Sequence, residues 1–414
     1  MRRLSRKRLV LLLAIIGPGI ITAAADNDAG GIMTYTQAGS KYRYDLLWVI
    51  VLITFVLMMI QEMCARMGAV TQKGLGELIR ENFGVKWTMF ALGTLLVANL
   101  ATTVAEFAGI AASLEIFGVS RFITVPLAAV GVWLLVVKGS FKIVERVFLS
   151  LSLVYVTYII SGLLAPNVDW MEVLHCTYHP NLRADPHFMF LAIAVIGTTI
   201  APWMQFFLQA TVVDKGVRVE EYAYEKWDVY VGSFMTDVVS FFIIVSAAAI
   251  IWKAPNGFEI TQPAQAAAAL RPVAHGYAEV LFAIGLFNAS LLAAAVLPLS
   301  TAYTYSEAFG WEIGISRRFS EAPIFYGIYT FCILFGVAVV LFAQRLIAVM
   351  INAQAVNGIL LPVILVFMLK LINRKDVMGG YTNSRIYNAA VWAMAVALIL
   401  MTAGWLVGLA LGYQ

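Results

Sequence analysis

Ala25-Asp26-Asn27-Asp28-Ala29-Gly30-Gly31 sets two carboxylates, an amide and two glycines in the middle of an apolar run extending from about residue 9 to residue 37. A run of that length crosses about 30 Å of hydrocarbon as a helix rising about 1.5 Å per residue. The heptapeptide itself is poor helix material. Glycine costs about 1 kcal/mol relative to alanine in a helix interior, and an ionised carboxylate at the centre of a lipid-exposed helix costs at least about 2.5 kcal/mol. The expected structure is an unwound segment whose carbonyls and carboxylates face a cavity instead of lipid.

The rest of the chain supplies the membrane context. Of its 414 residues, 61% are hydrophobic and 13% charged, against about 25% charged in soluble domains. The mean hydropathy is +0.85. Continuous apolar runs such as Leu46–Ile60, Phe122–Val137, Val229–Ile251 and Ala389–Leu411 point to helices, not to the short alternating segments of a β-barrel. Eleven spans are expected, near 9–37, 44–69, 87–117, 122–137, 146–164, 188–213, 229–252, 278–306, 323–342, 346–372 and 389–411, with 165–187 and 253–277 as loops. The basic start, Met1–Val10, reads as the lead-in to a retained first span, not as a cleaved signal.

With the N-terminus in the cytoplasm, Lys41, Arg43, Arg121, Arg183, Lys253, Arg271 and Arg345 alone among the 28 basic residues fall outside. That bias supports an inside N-terminus, and an odd number of spans then puts Gln414 outside. The net charge of +4 therefore reflects sidedness and carries no nucleic-acid signal. Cys64, Cys176 and Cys332 are too few and too scattered for a disulfide framework.

A second irregularity lies in the sixth span, Gly197-Thr198-Thr199-Ile200-Ala201-Pro202-Trp203. Proline removes a backbone donor and clashes with the preceding turn, freeing carbonyls that could serve as ligands. Spans 1 and 6 open the two halves of a five-plus-five arrangement. Interrupted helices at matching positions of two halves point to a midplane site in an inverted-repeat transporter. Weaker signals are Glu106, deep in span 3, and Asp237 in span 7. Gln354 and Asn357 lie three residues apart on span 10, where they could reach the site or bond helix to helix. Glu62 and Arg66 are spaced for a local ion pair. His175, His179, His187 and His275 all fall in outer loops, and no histidine lies inside a span. His175-Cys176 with His179 imitates a metal tract only weakly.

These residues resemble a known family. Gly17-Pro18-Gly19, then Asp28-Ala29-Gly30-Gly31, then Gly39-Ser40 and Leu46-Leu47-Trp48-Val49 are similar to the first two spans of the Nramp (natural resistance-associated macrophage protein) divalent-metal transporters. Ala105-Glu106 with Gly109 resembles that family's third span, and Ala201-Pro202-Trp203 stands where the family has Met-Pro-His. The resemblance implies an all-α integral membrane protein of LeuT-like fold: two inverted five-helix repeats (about 9–164 and 188–372) and one extra helix (about 389–411), forming one transmembrane domain and working by alternating access. It puts the metal-binding aspartate on Asp28 and carbonyl ligands on Ala25 and Thr198. The asparagine ligand falls on Gly31 and the methionine ligand on Ala201, so both of those side chains are lost. The proton-pathway histidine falls on Trp203 and an acidic partner on Thr103, leaving Glu106. Asp26, Gln205, Gln354 and Asn357 complete the expected pathway, while Met33 or Met204 could restore a thioether if the register shifts.

A thioether favours softer ions, whereas carboxylates, carbonyls and water suit hard ones. Magnesium sheds its water reluctantly. An oxygen-only site with extra room fits largely hydrated Mg²⁺, with Mn²⁺ also passing, and the pattern resembles the Nramp-related magnesium transporter branch. The loss of the histidine and the acid implies uptake driven by the membrane potential without proton coupling, at about 2.3 kcal/mol per charge per 100 mV. The expectation is a monomeric plasma-membrane importer with no cofactor. Alternatives are a proton-coupled Mn²⁺/Fe²⁺ transporter of Nramp type, a cation-coupled amino-acid symporter of the same fold, a channel, and an intramembrane aspartyl enzyme. The last lacks a second aspartate motif.

Overall fold

The computed structural model describes residues 26–138, 152–166, 168–183, 185–314 and 318–411. Ala25 and the first half of span 1 lie outside these residues, as does the start of span 5. Asp26 is helical, Asn27 and Asp28 are not, and a new helix, α1 (Ala29–Tyr42), begins immediately after them. It is followed by α2 (Leu47–Thr71), α3 (Leu75–Glu115), α4 (Arg121–Val137) and α5 (Val156–Leu164). The second half contains α6 (Trp170–Tyr178), α7 (Pro186–Thr199), α8 (Pro202–Asp214), α9 (Tyr222–Ile250), α10 (Ala278–Phe309), α11 (Pro323–Phe342), α12 (Leu346–Ile372) and α13 (Arg385–Ala410). Among the described residues, eight helical segments are long and apolar enough to cross a membrane, with α7 and α8 taken together as one of them. Helices α1, α4 and α5 occupy the three remaining expected spans.

Local sequence explains most of the boundaries. Asp185 caps α7, accepting from His187 N at 3.1 Å, and Pro186 takes the first helical position, where its missing N–H costs nothing. Gly84, at φ 75°, kinks α3; the kink separates the expected third span from an extra helical stretch, 75–83, that the apolar pattern did not announce. Two further corrections concern the expected loops. Trp170–Tyr178 is helical, capped by Asp169, and residues 263–277 form a series of short helical turns. Both segments are too short and too polar to register as spans.

Helix α3 is the hub. It packs most extensively against α10 and α12, while α9 lies along α1 and α2, and α7 lies against α12 and α13. The α7–α12 contact is backbone on backbone. A Cβ on Gly197 would lie 2.1 Å from the Gln354 carbonyl oxygen and 2.3 Å from Gly358 N, so only glycine permits this approach. Helices pack this closely in membranes through small residues. The outward faces stay apolar: Phe122 is 64% exposed, Leu127 67% and Phe342 85%, which is the surface lipid would cover. Glu62 and Arg66 form the expected local pair at 3.3 Å, and Arg66 also bonds Asn383 beyond the end of α12. The three cysteines are free.

Candidate functional site

Both expected breaks are present and they face each other. Asp28 is the cap of α1, with extended backbone (φ −77°, ψ 176°), and its Oδ1 accepts from Gly31 N at 2.5 Å. A helix N-terminus leaves its first amides unbonded and favours a nearby anion. Here two carboxylates answer two of those amides, because Glu106 Oε2 accepts from Ala29 N at 3.3 Å. Glu106, from α3, thus lies beside Asp28, and both are buried.

The opposite break separates α7 from α8 at Ile200-Ala201. Thr198 would normally lend its carbonyl to the N–H four residues on, but that residue is Pro202, which has none. Thr198 Oγ1 also has no hydrogen-bond partner among the described residues. Tyr35 joins the two breaks, its hydroxyl 2.8 Å from Thr199 Oγ1. Gly31 is the point of closest approach. A Cβ there would stand 2.9 Å from Thr198 Oγ1, 3.2 Å from Asp28 Oδ1 and 3.4 Å from the Asp26 carbonyl oxygen. Any side chain at position 31 would therefore project directly between the two breaks.

Helix α12 closes a third side. Gln354 Nε2 lies 3.2 Å from each Asp28 carboxylate oxygen. Asn357 Nδ2 donates to Gln354 Oε1 at 2.9 Å and to Thr102 Oγ1 at 2.9 Å. Gln354 and Asn357 thus reach the site and also tie α12 to α3. On the fourth side, Asn27 Nδ2 donates to Thr236 Oγ1 of α9 at 2.8 Å. The neighbours of that bond, Asp26 and Asp237, are both buried, and Asp26 Oδ1 lacks a partner among the described residues. The assembled locus is rich in carboxylates and lined by oxygen, and its unpartnered acceptor oxygens suit a cation.

Other expected members lie elsewhere. Thr103 donates to its own helix at Asn99 O, 2.7 Å away, and its methyl group packs on Gly336 of α11. Thr102, one residue earlier and one turn before Glu106, is the threonine that joins the network. Its spacing from Glu106 was the signal that could have found it. Trp203 is buried with its ring on Phe207, and its carbonyl accepts from Ser300. Gln205, with its amide turned to satisfy both ends, donates to the Ala201 and Pro202 carbonyl oxygens at 2.7 Å, so it occupies carbonyls of its own helix. Ala201 is the cap residue of α8 and supplies no side-chain donor. Met33 and Met204 are both buried.

Residues 19–408 match the model of the natural resistance-associated macrophage protein-like family. The chain belongs to the Nramp family. Among curated Nramp relatives, it is 27% identical to a divalent metal cation transporter MntH of Klebsiella pneumoniae, over 97% of this chain and 96% of that one. It is 31% identical to a MntH of Yersinia pestis, over 69% of this chain and 70% of that one. The structure is similar to a manganese transporter of Eremococcus coleocola, with a TM-score of 0.78 and 21% identity over 98% of this chain and 87% of the other. It is also similar to MhsT bound to L-phenylalanine, with a TM-score of 0.61 and 14% identity over 94% and 98% of the two chains. The Nramp chain is thus a multi-pass helical membrane protein of LeuT-like fold, two inverted repeats plus one helix.

Proposed function

We propose that this Nramp-family chain is a divalent metal transporter, not an enzyme, that imports hydrated Mg²⁺, and also Mn²⁺, by alternating access without proton coupling. The observation that carries the reading is the convergence at Gly31: a Thr198 hydroxyl, an Asp28 carboxylate oxygen and the Asp26 carbonyl lie 2.9, 3.2 and 3.4 Å from where its Cβ would stand, so oxygen borders the approach of the two breaks. Asp28 is the charged anchor, Thr198 supplies carbonyl and hydroxyl oxygens, and Ala25 contributes a further carbonyl. Positions 31 and 201 carry no ligating side chain, so water fills out the ion's shell there. Magnesium keeps several waters when bound and relies on one or two carboxylates, and the absence of a thioether at Ala201 removes the preference for softer ions. The similarity to divalent metal cation transporters supports metal as cargo. The distribution of basic residues supports an N-terminus in the cytoplasm and a C-terminus outside, with the plasma membrane as the proposed site of action.

Proton-coupled Mn²⁺ transport is the second reading, favoured by one observation: Glu106 lies beside Asp28 and could exchange a proton when the ion binds. Influx into proteoliposomes separates the two. Wild-type protein is expected to admit Mg²⁺ and Mn²⁺ with no acidification of the lumen, and Asp28→Ala to abolish influx while the protein still elutes as a folded species. Retained influx in Asp28→Ala would discard the site. Acidification that tracks metal entry would replace the uncoupled reading with the coupled one.

A further inference from the structure

The sequence leaves His175 and His179 in a loop, but the fold puts them on a helix. His175 lies in α6 and His179 is its C-terminal cap, with His179 N donating to His175 O at 2.9 Å, so helical spacing continues through the cap. The two imidazoles are stacked, with ring centroids 4.5 Å apart and planes 27° from parallel. His175 and His179 are both exposed. Glu172 and Cys176 share the same stripe of the helix, one turn away at helical spacing. Glu172 is engaged with Arg43 at 2.7 Å, and Cys176 is half-buried. The imidazole pair is therefore the accessible part of a stripe composed of metal-ligating residue types.

We propose that His175 and His179 form a binding site for borderline transition ions such as Zn²⁺, Cu²⁺ and Ni²⁺, separate from the Asp28 locus. A neutral imidazole offers one ring nitrogen as an acceptor, and imidazole is a favoured ligand of these metals but not of Mg²⁺. Nitrogens about 2.0–2.1 Å from one ion fit rings at this separation after side-chain rotation alone, with no change in the helix. Water completes the coordination. Glu172 is the nearest carboxylate on the stripe, and it is also the residue that holds Arg43 at the C-terminal cap of α1, the helix that begins at Asp28. The site thus adjoins the far end of the helix whose start anchors the transported ion. It takes the nitrogen-preferring ions that an oxygen-lined site selects against.

The test uses purified full-length protein. Electron paramagnetic resonance with Cu²⁺ at one equivalent should show superhyperfine coupling to two nitrogens in the wild type, and a wild-type spectrum without nitrogen coupling would overturn the proposal. Calorimetric titration with Zn²⁺ in excess Mg²⁺ should show binding that persists in Asp28→Ala. It should weaken in both His175→Ala and His179→Ala by at least the roughly tenfold that loss of a mere supporting partner costs a metal site. An isotherm unchanged in both histidine variants would also overturn it. Because Mg²⁺ influx in these variants should match wild type, failure here and failure of the Asp28 assignment are distinguishable.

Discussion

Substituting Gly31 by alanine tests the claim that room, as much as charge, selects the ion. Gly31 sits in the first turn of α1, where alanine is the better helix former by about 1 kcal/mol, so the backbone favours the change. The obstruction lies only in front of it. The new methyl group would stand 2.9 Å from Thr198 Oγ1 and 3.2 Å from Asp28 Oδ1. Thr198 can rotate away, but the methyl then fills the space where a water of the ion's shell would bond Asp28. A hydrogen bond to a charged group is worth about 1.5–3 kcal/mol, and displacing an ordered water with a group that cannot replace its bonds forfeits that. Mg²⁺ binding should weaken roughly ten- to hundredfold. Mn²⁺ should be less affected, since Mg²⁺ is the ion that dehydrates reluctantly. Concentration-dependent influx of both ions into proteoliposomes reads this directly. Unchanged Mg²⁺ and Mn²⁺ curves, in a variant as well folded as wild type, would refute the reasoning.

Three further outcomes follow from the same geometry. Gln354→Ala removes both 3.2 Å contacts to the Asp28 carboxylate and should raise the half-saturating Mg²⁺ concentration roughly tenfold, at about 1.5 kcal/mol for a bond to a charged group; an unaltered value would show that the amide only braces helices. Gly197→Ala drives a methyl group into the backbone of α12 at 2.1 Å; an overpacking cost of about 1–3 kcal/mol or more should lower the thermal midpoint of the purified protein, and an unchanged midpoint would mean α7 and α12 can separate cheaply. Ala201→Met introduces a thioether at the second break and should raise Mn²⁺ influx relative to Mg²⁺, whereas an unchanged ratio would mean that position 201 does not face the ion.

The sequence was legible where the membrane makes polar atoms expensive. Asp28 and Pro202 announced their breaks because neither belongs in an ordinary span, and α11 and α12 begin and end where apolar character does. Features that depend on contact across the fold were not legible. Nothing in the one-dimensional pattern says that Gly31 faces Thr198, or that Gly197 allows α7 to meet α12. The family resemblance points to Thr103, yet one position turns a helical side chain about a quarter-turn or more, enough to send Thr103 toward α11 and Thr102 toward Asn357. Helix α6 was invisible because nine residues of mixed character mimic a loop, and its stacked histidines went unseen with it. Gln205 is long enough to fold back on its own helix, a choice that composition does not record.

Anomalous diffraction from crystals soaked in Mn²⁺ would probe the centre of the account most directly, because it locates the ion without assuming a mechanism. The expected map has a peak between the Asp28 carboxylate and Thr198, at a distance from the protein that leaves space for intervening water. A peak remote from Asp28, or an ion coordinated without water by other residues, would contradict it.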